Sequence, residues 1–219
     1  MAAEDFPIVV LLSGNGSNLQ AIIDAISRDE LHARIAAVIS NRARVHGLQR
    51  ARDAGVPVEV IEHDHFRSRE QFEQALIDCI DGYSPRLVVL AGFMRILTPA
   101  FVNHYRGRLI NIHPSLLPAF PGLNTHRRAL EADVKEHGAS VHFVTDELDG
   151  GPVISRIRIH VRPDDDAAQL AARVLKQEHR LFPKTIEWFS QGRLQLDNGR
   201  VVFDGQPLTS PIDCGEPSS

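Results

Sequence analysis

Apolar residues gather in short runs at 8–12, 35–39, 56–61, 87–90 and 109–112, each closed by small, polar or charged residues. Runs this brief and this apolar read as strands buried on both faces rather than as half-exposed alternating strands. Between them, 19–26, 46–54, 67–80 and a short piece after Pro99 place apolar residues at helical spacing. Strand and helix therefore alternate. That order predicts βαβ units with right-handed crossovers and a mostly parallel twisted sheet covered by helices on both faces. Ligands then gather at the carboxyl ends of the strands.

After Pro114 the pattern changes. A Pro- and Gly-rich loop leads to a short helix near 125–131, two strand-like runs at 140–144 and 153–160, and a long helical pattern over 165–189 with Asp164, Asp165 and Asp166 at its start and Pro183 as a point of kinking. The expectation is an α/β single domain with an antiparallel addition after residue 138. Asn198-Gly199 between apolar runs signals a hairpin, and the Pro/Ser-rich end from Pro211 reads as frayed. The division expected is 1–192 as the main domain and 193–219 as a C-terminal hairpin and flexible tail.

Composition narrows the class without naming a function. Of 219 residues, 43% are hydrophobic and 24% charged, which fits a globular chain and no fibrous or repeat architecture. A formal net charge of -4 gives no general attraction for nucleic acid, despite a local basic set at Arg42, Arg44, Arg50 and Arg52. Cys79 and Cys214 form neither a C-x-x-C pair nor a disulfide framework, so a cytoplasmic location is expected. Residues 1–5 carry no basic leader and 6–12 is too short to span a membrane, so no export and no anchor are expected. His63-x-His65 is the nearest approach to a metal motif, but Glu62 and Asp64 beside it suggest an exposed loop. No metal is expected.

Two segments carry candidate chemistry. S-G-N-G-S-N at 13–18 lies between a strand and a helix, where small residues let backbone N–H groups converge on an anion. The third glycine of a dinucleotide fingerprint is replaced by Leu19, and no Gly-Lys-Ser/Thr follows, so a monophosphate suits the loop better than NAD or a nucleoside triphosphate. The alternative is a tight turn in which Ser17 or Asn18 caps the helix. Further on, Asn111 and His113 stand two apart at a strand end, so their side chains share a face, and Pro114 closes the strand behind them. An amide and an imidazole together can stabilise an oxyanion and move a proton, as formyl or acyl transfer to an amine requires. The blander possibility is that both bond to loop backbone. Asp149, before Gly150-Gly151, is either a turn former or the partner that orients His113.

These segments combine with VVLAGFMRIL at 88–97 and HFVTDELDGGP at 142–152 into a pattern that resembles the phosphoribosylglycinamide formyltransferase family from residue 8 to about 192. The N-x-H-P-S-L-L-P stretch from Asn111 is shared with other formyl-folate enzymes, whereas GNGSN at 14–18 and PGLNTH at 121–126 are similar to the glycinamide-ribonucleotide enzymes. The resemblance implies a Rossmann-like formyltransferase fold, 10-formyltetrahydrofolate as cosubstrate, and glycinamide ribonucleotide as acceptor in purine synthesis. It implies Asn111, His113 and Asp149 as the catalytic set, and Gly16, Ser17 and Asn18 on the substrate phosphate. Glu178 falls near ribose and glycinamide, while Arg69, Met94, Arg95, Ile96 and Leu97, together with Asn111, face the folate; His142 lies close by. Partners are small molecules, with a monomer or homodimer both open. The rival readings are another formyl-folate enzyme and a non-catalytic mononucleotide-binding module.

Overall fold

A computed structural model describes residues 6–215. Ile8, Val9, Val10, Leu11 and Leu12 have no exposed surface, because β1 (Pro7–Leu12) lies inside a sheet covered on both faces. Its side chains alternate between two cores, as the period of a strand demands. Ile8, Val10 and Leu12 pack with Leu19, Ile22 and Phe182; Val9 and Leu11 pack with Phe72, Leu76, Ile80, Phe101 and Tyr105. Each such side chain, fully buried, stabilises the fold by about 1.5–3 kcal/mol.

After β1 the chain runs through α1 (Ser17–Ser27), β2 (Arg34–Ser40), α2 (His46–Asp53) and β3 (Val58–Val60), then a 3-10 turn at His63–His65. It continues through α3 (Arg69–Gly82), β4 (Leu87–Leu90), α4 (Pro99–His104), β5 (Leu109–His113), α5 (Thr125–Glu131), β6 (Glu136–Phe143), β7 (Val153–His160) and α6 (Ala167–Ser190). Strands β3, β2, β1, β4 and β5 lie side by side in that order and run parallel. The chain winds outward from β1 in one direction and then, from β4, in the other. The crevice between the ends of β1 and β4 is thus the switch point where ligands collect.

β6 and β7 extend the sheet antiparallel beyond β5. β6 begins at Glu136, before the apolar run that marks it in the sequence. Gly138 explains the difference: a Cβ there would stand 1.9 Å from the Ile157 carbonyl oxygen. A residue that ordinarily weakens a strand is here what lets two strands meet. The long helix starts with a capping box between Asp166 and Gln169 and continues through Pro183.

The expected hairpin is present. Asn198 and Gly199 have φ of 47° and 76° and join β8 (Leu194–Asp197) to β9 (Arg200–Phe203), with Asp197 opposite Arg200, the geometry of a two-residue primed turn. β10 (Gln206–Pro207) completes a small antiparallel sheet, which docks on α6 through an edge-on Trp188–Phe203 contact at 5.2 Å between ring centroids. Past Pro211, where the composition suggests fraying, β11 (Ile212–Asp213) instead pairs parallel with β7. Asp213 lies 2.8 Å from Arg158 and 3.4 Å from Arg156, charge pairing that composition does not reveal. The leader reading at 1–5 and the last tail residues, 216–219, fall outside the described residues. Among the described residues, no helix is long and apolar enough to cross a membrane.

Candidate active site

β5 delivers its last residues to the crevice, and β6 supplies their neighbours. Asn111 stands directly opposite His142, and His113 opposite Ser140. The Asn111 amide nitrogen is 3.2 Å from His142 Nε2, while His142 Nδ1 faces the Phe143 carbonyl at 2.9 Å. Burial lowers the pKa of His142, against smaller opposing influences from that carbonyl and from Asp149. The neutral ring therefore donates through Nδ1 and accepts the Asn111 amide at Nε2. One amide hydrogen is spent in orienting the side chain and the second remains for a ligand.

Asp149 completes the cluster. Its carboxylate lies 3.4 Å from His113 Nδ1 and 3.7 Å from His142 Nε2, and accepts the Gly122 N–H at 2.8 Å. His113 Nε2 is 3.0 Å from the Phe120 carbonyl oxygen, so both ring nitrogens face acceptors. Asp149, at φ 51°, and Phe120, at φ 56°, hold left-handed backbone in this cluster. Gly151 serves by lacking a side chain, since a Cβ there would sit 1.8 Å from the Phe143 carbonyl oxygen, whereas one on Gly150 would meet only the movable Glu147 side chain.

On the other side of the crevice, the loop after β1 is not the side-chain-capped turn that stood as the alternative to an anion site. Neither Ser17 nor Asn18 is the N-cap of α1; Gly16 is, at φ 74° and ψ 29°, with no side-chain cap. A left-handed N-cap favours glycine, and here the close approach demands it, because a Cβ would strike Gly47 Cα at 2.5 Å. The first-turn N–H groups are thus left for an anion. Arg50 braces the loop through Asn15, at 3.0 Å to its carbonyl and 3.1 Å to its side chain. Asn18 turns away from the cap and donates to Glu178 Oε2 at 2.7 Å, which brings α6 to the loop. Glu178 is 7% exposed, and burial raises its pKa while the Asn18 bond acts against this. Asn18 Oδ1 is buried without a partner, an acceptor left to a donor the protein does not supply.

Residues 7–186 match the family model described as formyl transferase. The chain belongs to the formyl transferase family. It is 56% identical to phosphoribosylglycinamide formyltransferase of Escherichia coli (strain K12) over 201 residues, 92% of this chain and 95% of the relative. It is 43% identical over 197 residues to the trifunctional purine biosynthetic protein adenosine-3 of Homo sapiens, 90% of this chain but 20% of that longer protein. Its fold superposes on the phosphoribosylglycinamide formyltransferase of Coxiella burnetii with a TM-score of 0.93 at 54% identity, covering 96% of this chain and 99% of the other.

In this formyl transferase the stretch after β4 borders the same crevice. Met94 and Ile96 are 62% and 63% exposed, whereas Leu97 is buried in the core. Arg69 reaches back from α3 to the Ile96 carbonyl. Leu123 and Leu148, also exposed, lie in the loops that Asp149 ties together. Sequence reasoning missed Ser13, whose hydroxyl donates to Asn41 at 2.6 Å and accepts the Met94 N–H at 2.8 Å; its only signal is membership of the SGNGSN segment. His63 and His65 each face a neighbouring carboxylate. Among the described residues no group of three or more His, Cys, Asp or Glu could hold a metal.

Proposed function

We propose that this chain transfers the formyl group of 10-formyltetrahydrofolate to the amine of 5'-phosphoribosylglycinamide, releasing tetrahydrofolate and formylglycinamide ribonucleotide. The observation that carries this reading is the placement of Asn111, His113 and Asp149 in one buried cluster at the switch-point crevice, with an uncapped helix start on its far side. A phosphate at Gly16, Ser17 and Asn18 would sit against backbone N–H groups, and Glu178 with the orphan Asn18 oxygen would face the ribose and glycinamide. Arg69, Met94, Arg95, Ile96 and Leu97 are proposed to take the folate, largely through backbone groups.

The cosubstrate supplies the formyl carbon. As the amine attacks it, negative charge develops on the formyl oxygen. The free Asn111 amide hydrogen is proposed to hold that charge, with the His113 ring joining it when its Nε2 turns from the Phe120 carbonyl to the formyl oxygen. Asp149 orients His113 and is proposed to pass on, through water, the proton lost by the amine. The core unit is proposed to be 1–192, with 193–219 an addition to it.

The test is an assay of folate product with glycinamide ribonucleotide present, absent, or replaced by methionyl-tRNA. Turnover with the ribonucleotide alone is expected. Equal turnover with water or tRNA as acceptor would reject the substrate, and none with any acceptor would reject the enzyme.

A further inference from the structure

Glu73 lies on α3, one turn beyond Arg69, and is 3% exposed. It is the one carboxylate of that helix whose partners belong to the stretch leading out of β4. Its two oxygens accept the Thr98 backbone N–H at 3.0 and 3.2 Å, and the Thr98 hydroxyl also donates to it. The Arg69 Nε stands 3.4 Å away, so the buried charge is paired. Thr98 is in turn the N-cap of α4, its hydroxyl facing the Phe101 N–H at 3.4 Å, with Pro99 following. The stretch from Met94 to Leu97 has no strand or helix of its own. Its shape depends on where its ends are held: Met94 by Ser13, Ile96 by Arg69, and Thr98 by Glu73.

We infer that Glu73 is a positioning residue for the folate side of the crevice, fixing the stretch from Met94 to Leu97 through Thr98 without touching either substrate. This rests on the reading of that stretch as the folate contact. A ligand read by backbone groups needs those groups fixed before it arrives, and a buried carboxylate holding three donors supplies the rigidity. Glu73 holds the Thr98 end of the stretch, and the tie to the phosphate loop is at the other end, from Met94 to Ser13, so the effect falls chiefly on one substrate.

Glu73→Gln keeps the volume and one acceptor but cannot accept from the Thr98 hydroxyl and Arg69 as the carboxylate does. In the full chain, KM for 10-formyltetrahydrofolate and the dissociation constant for tetrahydrofolate by calorimetry are expected to rise about tenfold, which corresponds to roughly 1.4 kcal/mol. KM for glycinamide ribonucleotide should stay within about twofold. An unchanged folate constant, or a parallel rise of both KM values, overturns the inference. Should Glu73→Gln fail to fold, Thr98→Val and Thr98→Ser decide, because both leave the carboxylate and its backbone partner in place. The valine variant is expected to weaken folate about threefold while serine restores it; equal folate constants in the two overturn the inference. Parent protein without turnover would fail the functional reading, whereas active parent with an indifferent Glu73→Gln fails this inference alone.

Discussion

Replacing Asn111 by alanine tests the site at its centre. The substitution removes the amide hydrogen that His142 leaves free, and losing one such donor in a desolvated site costs about 10²–10³ in turnover, roughly 2.7–4 kcal/mol. The structural cost is smaller. One neutral hydrogen bond, from the amide to His142 Nε2 at 3.2 Å, is worth about 1 kcal/mol, or about 2–4 °C in Tm for a chain of this size. Inactivation and unfolding are therefore separable. Steady-state measurement of folate product should show kcat lowered at least about 100-fold with both KM values within about threefold, and calorimetry should show a small fall in Tm. Turnover within about threefold of the parent would refute the assignment of Asn111. A Tm collapse matching the activity loss would refute the separation. His142→Ala should cost only about tenfold in kcat, since it removes the anchor of the amide and leaves the donor.

Gly16→Ala forces a left-handed alanine, at about 1–2 kcal/mol, and pushes its Cβ to 2.5 Å from Gly47 Cα; KM for glycinamide ribonucleotide should rise about tenfold or more with the folate KM little changed, and an unaffected ribonucleotide KM would count against the phosphate role. Burial raises the Glu178 pKa above 4.5, so the folded chain holds that proton more tightly than the unfolded one, and ionisation erodes stability as pH rises above 4.5 through the folded value. Glu178→Gln should then equal or exceed the parent Tm at neutral pH while weakening ribonucleotide binding; a lower Tm would contradict the burial argument. The Glu187 hydrogen bond raises His32 above 6.5, with burial opposing it more weakly. Its contribution is fully present below pH 6.5 and is lost as pH rises through the folded value, so Glu187→Gln should flatten Tm against pH across that window, and an unaltered profile would dismiss the pair.

The parallel part of the fold was legible because burial on both faces leaves uninterrupted apolar runs, as in β1 and β4. The shared face of Asn111 and His113 followed from strand geometry alone. Contacts across the chain were hidden wherever a residue's value lies in what it lacks or whom it meets. Gly138 disguises the start of β6 because its merit is the missing Cβ. β11 is only two residues long, and its Asp213 pairs with arginines of β7. Ser17 and Asn18 carry the chemistry of caps, but the left-handed Gly16 takes that role and frees Asn18 for Glu178. Glu73 is one acid among several on α3, and only its burial against Thr98 sets it apart. The link between Asp149 and His113 came from resemblance, and geometry brings the two within 3.4 Å.

The contact of Gly16 with Gly47 makes the anion loop a two-part object. Gly47 is the second residue of α2, its N–H donates to the Gly14 carbonyl at 3.1 Å, and a Cβ on it would press on Leu12 at 2.7 Å. The first loop keeps its shape only while the start of a different helix stays bare. Transplanting the SGNGSN segment onto another strand and helix would therefore not carry the site with it, and a designer who grafts it must bring the second glycine as well.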